Sequence, residues 1–229
     1  MVPTLDEGEG IEGALAALRP LREDGHEVIV SDGGSTDGTA TLAVTAADRI
    51  VAAGRGRARQ MNAGAAAATG DVLVFLHADT TLPEDADRRV LEALGDRPGW
   101  GFFGVRLSGS HPAFRIIERM ITLRSRLSGI ATGDQAIFAT RNLFENAGGF
   151  AETPLLEDVD LCRRLKRRSL PVRPRSVVTT SSRRWEAGGI VRTVLLMWWL
   201  RGAYALGAKP ERLARCYRFG GSTEGEDGA

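Results

Sequence analysis

The sequence is poor in cysteine and contains no long uncharged apolar segment, and both shortages exclude classes of protein. Only two of its 229 residues are cysteines, Cys162 and Cys216, which is too few for a scaffold held together by disulfides. We therefore expect a reducing, cytoplasmic compartment, and no secretory signal is recognisable at the start. The longest apolar stretch, residues 190–206, is interrupted by Arg192 and Arg201, so it is too short and too charged to span a bilayer unaided.

Lysine is almost absent, and arginine carries nearly all of the basic charge. Thirty basic residues face 29 acidic ones, for a formal net charge of +1, and this balance argues against a broad electrostatic attraction to nucleic acid. Lys166 and Lys209 are the only lysines, a bias that we ascribe mainly to genome composition. Arginine nevertheless binds phosphate through two parallel hydrogen bonds, so local groups of arginines remain candidates for phosphate binding.

The segment formed by residues 71–79 organises the prediction. An unbroken apolar run over residues 72–76 is typical of a parallel strand covered on both faces, and polar residues follow it at once. Ligands bind outside the carboxyl ends of the strands in open α/β sheets, so His77 and Asp79 are candidate site residues on a rigid support. The alternative is that Asp79 only caps the following turn.

Helical and strand periodicities alternate along the first half of the chain. The predicted elements are the tail of a strand running into a loop over 2–7, strands at 27–31, 49–52 and 71–79, a helix carrying Ile11, Leu15 and Leu18 that ends at Pro20, a helix with Leu42 and Val44 that Ser35, Thr36 or Asp37 caps, and an alanine-rich helix through Thr69. This alternation predicts a mostly parallel sheet with helices on both faces. Asp32 is therefore a second carboxylate at the carboxyl end of a strand.

The second half is less regular. The predicted elements are a helix marked by Val90, Leu91 and Leu94, a strand over 100–107, an apolar-faced helix with Ile116, Ile117, Met120, Ile121, Leu123 and Leu127, a strand over 134–139, and a helix with Leu161 and Leu165 inward. Acidic residues at 157–160 precede that last helix, and capping of its amino terminus is one explanation for them.

A glycine-punctuated basic loop, GRGRAR at residues 54–59, leads into the alanine-rich helix. Its spacing resembles a dinucleotide-binding fingerprint, but the third glycine is missing and the loop is too basic. Arg59 is accordingly either close to a nucleotide phosphate or an ordinary exposed arginine.

Taken together, five motifs resemble those of family 2 glycosyltransferases of the GT-A fold. They are PTLDE at 3–7, SDGGSTDGT at 31–39, GRARQMNAG at 56–64, GDVLVFLHAD at 70–79 and LED at 156–158. They follow the family order over most of residues 2–168. More narrowly, GDQ at 133–135, EDVDL at 157–161 and SRRW at 182–185 resemble a short bacterial subfamily labelled arsenosugar-biosynthesis-type glycosyltransferases. The resemblance implies an α/β GT-A (nucleotide-diphospho-sugar transferase) fold with a C-terminal helical segment.

The resemblance also implies a nucleotide-diphosphate sugar donor, a divalent metal and an inverting displacement at the anomeric carbon. The residues expected at the donor are Thr4, Leu5, Glu7, Asp32, Gly34, Arg59, His77, Ala78, Asp79 and Arg184. Asp32 would contact the nucleoside, and Asp79 would hold Mg²⁺ or Mn²⁺ against the diphosphate. His77 replaces the first acid of the family's aspartate-x-aspartate element. Its imidazole can donate to a ribose hydroxyl but is a poor Mg²⁺ ligand, and the alternative is a pairing with a backbone group.

The family's glutamate–aspartate element corresponds here to Glu157 and Asp158. A general base must take the proton of the attacking acceptor hydroxyl, and the family's habit favours Asp158 for this role. The acceptor side is predicted at Asp134, Gln135 and Trp185, although ordinary packing explains a tryptophan at position 185 nearly as well. Ser181 stands where processive relatives carry glutamine, so chain polymerisation is not expected.

The expected organisation is a glycosyltransferase domain over residues 1–187, a packed helical extension over 188–219 and a disordered tail over 220–229. The extension carries the adjacent Trp198 and Trp199. It suits either an interfacial helix on the inner face of a membrane, close to a lipid-linked acceptor, or a helix that closes the cleft or forms a dimer seam, and we favour the second.

Two other functions share parts of this pattern. A nucleotidyltransferase would need a glycine-rich pyrophosphate loop with a lysine near the amino terminus, which this sequence does not contain. A non-catalytic nucleotide-sugar binding module would bind donor and metal without turnover.

Overall fold

The structure is a computed structural model that describes residues 1–221. Nine β-strands are found among these residues. The strands are β1 (Val2–Thr4), β2 (Ile29–Asp32), β3 (Arg49–Ala52), β4 (Val72–Phe75), β5 (Thr80–Thr81), β6 (Trp100–Gly101), β7 (Gly104–Leu107), β8 (Ile137–Thr140) and β9 (Val177–Thr180). The predicted tail over 220–229 lies outside the described residues from 222 onward.

Helices surround the sheets and make up most of the second half of the chain. They are α1 (Gly8–Ala16), α2 (Arg19–Glu23), α3 (Thr39–Ala43), α4 (Arg57–Ala67), α5 (Ala86–Leu94), α6 (Pro112–Ser128), α7 (Arg141–Asn146), α8 (Glu157–Lys166), α9 (Arg183–Gly188), α10 (Ile190–Ala205) and α11 (Pro210–Gly221), with a 3₁₀ turn at Gly133–Gln135. None of the helices described is long and apolar enough to cross a membrane.

The strand directions change half-way along the main sheet. β1, β2 and β3 pair in parallel, whereas β8 lies antiparallel to both β4 and β6. Met1 joins the two halves, because its amino group donates to the Val74 carbonyl at 2.8 Å and its own carbonyl accepts from Leu76 N–H at 3.0 Å. This is the bonding pattern of parallel neighbours, so the order is β3-β2-β1-β4-β8-β6.

The predicted α/β GT-A architecture is confirmed, and the strand directions refine it. The first half of the sheet is parallel, as expected, but the second half is mixed. A run of buried apolar residues such as Ile137 and Phe138 in β8 has the same appearance in either direction, because it is covered on both faces. A separate, smaller sheet contains β5, β9 and β7. In it, β9 pairs antiparallel with β5 and parallel with β7.

β4 is covered on both faces, as its apolar run predicts. Leu73 and Phe75 belong to one buried cluster and Val72 and Val74 pack against the other, because successive side chains of a strand point to opposite faces. The first cluster includes residues of α4, α7 and α8, and the second includes residues of α1, α3 and α5. The strand therefore reaches the site from between two packed layers.

Several predicted boundaries need correction. Pro20 does not end the first helix but lies in the first turn of α2, where its missing N–H has no cost. Residues 100–107 form two strands in different sheets, β6 and β7. The predicted domain boundary at 187/188 falls inside α9, and α11 continues past residue 219.

The apolar face predicted for α6 is only partly buried. Phe114 and Ile117 are buried against β7 and its neighbours, because the helix presents that side to the sheet. Ile116, Met120, Leu123 and Leu127 are exposed. The same is true of Leu91 in α5, which is 54% exposed although Val90 and Leu94 are buried.

Candidate active site

A wide cleft of about 740 Å³ opens at the carboxyl ends of β1 and β4. Its walls include eight of the ten residues predicted at the donor, namely Thr4, Leu5, Glu7, Arg59, His77, Ala78, Asp79 and Arg184. They arrive from segments far apart in the chain, because the ends of neighbouring strands meet at one edge of a sheet.

Asp32 and Gly34, the other two predicted donor residues, do not line the cleft. Asp32 ends β2 beside Thr4 and accepts hydrogen bonds from Gly34 N–H and Ser35 N–H, both at 2.9 Å, and from Ser35 Oγ. Burial alone would raise the pKa of Asp32, but these hydrogen bonds outweigh it and lower the pKa. The carboxylate thus holds its own loop in shape, and its predicted contact with the nucleoside stays a prediction.

The amino terminus of α4 forms the basic side of the cleft. Gly56, with φ of 131°, precedes the helix, and no side chain caps the first turn. Uncapped N–H groups at a helix start favour an anion. Arg55, Arg57 and Arg59 lie around this end of the helix and line the cleft, so the surroundings fit a diphosphate.

Two ion pairs connect this basic loop to Glu152, which precedes α8, and to Glu157, the first residue of α8. Arg59 Nε contacts Glu152 Oε2 at 2.8 Å with both side chains exposed, and Arg57 Nη1 contacts Glu157 Oε1 at 3.4 Å, where the glutamate side chain is only 6% exposed. Arg55, Arg57 and Glu152 were missed as site residues, although the basic loop itself was recognised. The alternation of arginine with glycine and alanine at 54–59 was the available signal for the first two.

Asp79 lies in the turn between β4 and β5 and is exposed in the cleft. Its backbone carbonyl accepts from Ser181 N–H at 3.0 Å, which fixes the turn to the residue directly after β9. Glu7 lines the same cleft, and burial followed by the charge of Asp79 raises the pKa of Glu7. One or two carboxylates facing a diphosphate form a suitable donor set for Mg²⁺ or Mn²⁺, so the residues present fit such an ion.

His77 lines both the cleft and a small cavity next to it. Its Nε2 atom is buried without a hydrogen-bond partner among residues 1–221, and its ring lies against Gly133, where an added Cβ would meet Nε2. Burial, Arg57 and Arg184 lower the pKa of His77 to about 3. The ring is therefore neutral, and the alternative in which Nε2 pairs with a backbone group is not found.

Asp158 lines the small cavity together with Glu157, His77, Gly133 and apolar side chains. Its Oδ2 accepts from Gly133 N–H at 2.8 Å and its Oδ1 from Val159 N–H at 2.6 Å. The second of these bonds satisfies an N–H in the first turn of α8, whose N-cap residue, Leu156, makes no side-chain hydrogen bond. Burial and the neighbouring Glu157 raise the pKa of Asp158 to about 7.

The backbone before α8 is strained at the residue that delivers this pair. Leu156 has φ of 64° and ψ of 25°, a left-handed conformation that costs a branched residue about 1–2 kcal/mol. The helix begins directly after it, and so Glu157 and Asp158 leave the first turn toward α4 and Gly133. Strain held in this way is common next to functional side chains.

The three residues predicted on the acceptor side have different fates. Asp134 remains near the site: its Oδ1 is buried without a hydrogen-bond partner in the described chain, and burial raises the pKa of its carboxyl. Gln135 is fully buried and donates to the Phe103 carbonyl at 3.0 Å and to Ser125 Oγ at 3.1 Å. Its side chain is therefore engaged within the protein, and its predicted place on the acceptor side stays a prediction.

Trp185 is also a packing residue. It lies against the buried cluster of Leu107, Phe114 and Ile117 rather than in the cleft, as its alternative explanation proposed. Its neighbour Arg184 lines the cleft and places its guanidinium over the Tyr217 ring, 4.7 Å from the centroid.

Comparison with known sequences agrees with this arrangement of strand ends and acids. The sequence model described as "Glycosyl transferase family 2" matches residues 1–150, more than half of the chain. The chain belongs to glycosyl transferase family 2. A search of curated proteins finds no match.

Solved structures share the fold of this family 2 glycosyltransferase. A mannosyltransferase from Pyrobaculum calidifontis, solved with GDP-Man and Mn²⁺, is 21% identical with a TM-score of 0.62, and the match covers 96% of this chain and 68% of that one. Glucosyl-3-phosphoglycerate synthase from Mycobacterium tuberculosis, solved with Mn²⁺, UDP and glucosyl-3-phosphoglycerate, is 23% identical with a TM-score of 0.56, covering 79% and 68%.

TarS 1–349 from S. aureus is 15% identical with a TM-score of 0.63, and the match covers 85% of this chain and 64% of that one. This family 2 chain therefore spans 64–68% of the length of the three structures. The match to a mycobacterial protein likewise covers 63% of that protein. At these identities the likeness is one of fold, and the fold is the GT-A fold.

Proposed function

We propose that this chain transfers a sugar from a nucleotide-diphosphate sugar to a hydroxyl acceptor, with inversion at the anomeric carbon. The observation that carries the proposal is a cleft suited to a diphosphate beside Asp158, a carboxyl of raised pKa in an adjoining cavity that His77 also lines. Family membership supports the same class of reaction. The relatives solved with GDP-Man and with UDP each contain Mn²⁺, which supports a nucleotide-sugar donor and a divalent ion.

Each part of the cleft has a distinct role in this proposal. Arg55 and Arg57 and the uncapped start of α4 bind the diphosphate, whose negative charge increases as the sugar departs. Asp79 holds Mg²⁺ or Mn²⁺, with Glu7 as the neighbouring acid, and the ion when bound stabilises the leaving diphosphate. Thr4 and Leu5 lie along the nucleoside.

Asp158 acts as the general base of the proposed reaction. Its partly dry surroundings raise its pKa toward the working pH, and this makes it a better proton acceptor than an exposed carboxylate. The acceptor hydroxyl attacks the anomeric carbon, the bond to the diphosphate breaks, and the proton moves to a carboxylate oxygen of Asp158. Glu157, which is ion-paired with Arg57, is a positioning residue rather than the base.

The acceptor side is proposed at Asp134, whose unpartnered Oδ1 can accept a hydrogen bond from a second hydroxyl of the acceptor. Ser181 in place of a glutamine supports a single transfer rather than polymerisation. The narrower likeness to arsenosugar-biosynthesis-type enzymes remains a prediction from the sequence motifs.

The decisive experiment measures donor binding and turnover separately. A thermal-shift panel of UDP, GDP and dTDP sugars with and without Mn²⁺ identifies the donor, because only a ligand of the folded state raises the melting temperature. We expect a shift that needs both sugar nucleotide and metal, followed by release of nucleoside diphosphate when an acceptor is added. The anomeric configuration of the product, determined by NMR, tests inversion.

Asp79→Ala is expected to lose the metal-dependent shift and all but about a thousandth of the turnover. Asp71→Asn is the matched control, because Asp71 is exposed at the opposite end of β4 and touches no part of the cleft. A metal-dependent shift without turnover on any acceptor would support the non-catalytic binding module instead. That outcome has one structural feature in its favour, the neutral His77 where the family carries an acid.

A further inference from the structure

The outward face of α10 is apolar and exposed. Val191 is 71% exposed, Leu195 61%, Trp198 59% and Trp199 53%, and Leu206, just after the helix, is 91% exposed. A water-soluble surface rarely presents two adjacent tryptophans within a larger apolar patch unless something binds there. We call these five residues the tryptophan face.

The intervals are four residues from Val191 to Leu195, three or four from Leu195 to the adjacent Trp198 and Trp199, and seven from Trp199 to Leu206. These residues therefore lie on one side of the helix. The opposite side is also covered, because Thr193 and Leu200 are buried. The helix therefore has two apolar faces, one that packs on the domain and one that packs on nothing described. Incomplete burial of a single core face does not explain this pattern.

The neighbouring helix α6 repeats the feature. Ile116, Met120, Leu123 and Leu127 are exposed on it at intervals of four, three and four residues, which again form one stripe. Both helices contribute to the same small cluster, in which Ile190 and Val194 of α10 pack against Phe114 and Ile117 of α6. Two exposed apolar stripes thus belong to helices that pack together.

Charge around the tryptophan face has one predominant sign. Between residues 189 and 217 there are five basic residues, Arg192, Arg201, Lys209, Arg212 and Arg215, against the single acid Glu211. The whole chain has a net charge of only +1, so residues 189–217 are more basic than the chain as a whole, whereas residues 222–229 add the acids Glu224, Glu226 and Asp227. Arg192, Arg212 and Arg215 are exposed.

We propose that the tryptophan face of α10 docks on an anionic lipid bilayer. Tryptophan combines an apolar ring with an N–H donor and is favoured at the level of the lipid headgroups, and arginine beside it binds the headgroup phosphate. A second copy of the chain would bring two sets of five basic residues together, which charge repulsion opposes. Residues 222–229, STEGEDGA, contain no large apolar side chain that could cover the face.

This docking does not depend on the proposed glycosyl transfer, because it can be measured without substrate. The docked helices connect to the rest of the molecule through two arginine–tyrosine stacks. Arg163 of α8 lies over the Tyr204 ring and Arg184 of the cleft over the Tyr217 ring, each 4.7 Å from the centroid. A bilayer bound to α10 is therefore adjacent to the elements that form the site.

The test is flotation of the full chain with vesicles of phosphatidylcholine alone and of phosphatidylcholine with phosphatidylglycerol. We expect binding to the anionic vesicles, at least about tenfold weaker for the double variant Trp198→Ser/Trp199→Ser. The pair Arg192→Gln and Arg201→Gln should weaken binding roughly fivefold per arginine on anionic vesicles, since each nearby basic residue contributes that factor. Brominated lipids should quench tryptophan emission, and Trp198→Phe/Trp199→Phe should remove most of the quenching.

Matched controls are Leu91→Ser and Val44→Ser, which alter apolar residues that are 54% and 62% exposed elsewhere on the surface. Circular dichroism confirms that each variant folds. Unchanged binding in the double tryptophan variant, an equal loss in the two controls, or no binding to either kind of vesicle overturns the proposal. So does a wild-type dimer, seen by light scattering, that dissociates in the double tryptophan variant while vesicles stay unbound.

Discussion

Asp79 and Asp158 are the same kind of acid in two different surroundings, and the His77 ring lines both. Asp79 is exposed in a wide cleft bordered by arginines. Asp158 lines a small, mostly apolar cavity, and burial raises its pKa. The open acid suits an ion and a diphosphate, whereas the enclosed acid suits a proton. The surroundings of each carboxyl, rather than the residue type, therefore distinguish the two proposed roles. His77 lines the surroundings of both.

The largest expected effect comes from removing the enclosed acid alone. Asp158→Asn keeps the shape of the side chain but cannot accept a proton, so kcat should fall by about 10²- to 10⁴-fold. Donor binding in the thermal-shift assay should stay as in the wild type, in contrast to Asp79→Ala. Asp160→Asn is the control, because Asp160 lies two residues further along α8 and is paired with Arg164 at 2.7 Å. Loss of donor binding in Asp158→Asn would erase the distinction between the two acids.

The pH dependence of activity sharpens the same distinction. The base must be ionised, and the pKa of Asp158 is raised to about 7, so kcat should fall as the pH drops through neutrality. At pH 5 the rate should be about a hundredfold below its plateau, because two pH units separate that value from the pKa. A pH–rate profile that stays flat down to pH 5 would assign the proton to another group.

Stability should show the opposite trend at this position. A pKa that is raised on folding means that the folded state holds the proton more firmly, so stability is full below pH 4 and is lost as the pH rises toward 7. Replacing the carboxyl by a neutral amide removes this loss. The stability of Asp158→Asn relative to wild type should therefore be greater at pH 8 than at pH 4, by up to about 4 kcal/mol. The amide can accept only one of the two N–H bonds of the carboxylate at either pH. Chemical unfolding at the two pH values measures the difference.

The open cleft was predictable from the sequence to a much greater degree than the enclosed cavity. Strand ends meet at one edge of an α/β sheet by topology alone, so Thr4, Asp79 and their neighbours could be grouped from motifs on separate strands. The raised pKa of Asp158 could not be anticipated, because it arises first from burial in a cavity that Gly133 and His77 help to line, and then from the charge of Glu157. These residues are brought together by packing across long stretches of chain.

Other features that the sequence does not reveal have the same origin. The amide of Gln135 donates to the Phe103 carbonyl and to Ser125 Oγ, partners that no local pattern reveals. The direction of β8 and the exposed stripe of α6 also depend on which neighbour each element finds. Periodicity identifies an apolar face without identifying what covers it.

A matched pair of arginine variants distinguishes binding of the diphosphate from the ion pair that connects α4 to α8. Arg55→Gln and Arg57→Gln each remove a charge from the diphosphate side, so each should weaken donor binding about tenfold. Only Arg57 pairs with the buried Glu157, and only Arg57→Gln should also lower the free energy of unfolding, by about 1–2 kcal/mol. Calorimetric donor titration and urea unfolding of both proteins test this. Equal stability of the two variants would mean that the ion pair does not join α4 to α8.

The smallest expected effect comes from a substitution that displaces the His77 ring. Gly133→Ala introduces a Cβ that meets the His77 ring while keeping the N–H that Asp158 accepts, so the ring must shift. We expect a three- to tenfold fall in kcat with little change in donor affinity, because orientation near the base is disturbed while the cleft is not. Gly13→Ala in α1 is the control, since nothing lies within 4 Å of its added Cβ, and it should leave kcat unchanged. If Gly133→Ala weakens donor binding as strongly as it slows turnover, His77 is part of the donor cleft alone, and the two acids do not occupy separate compartments.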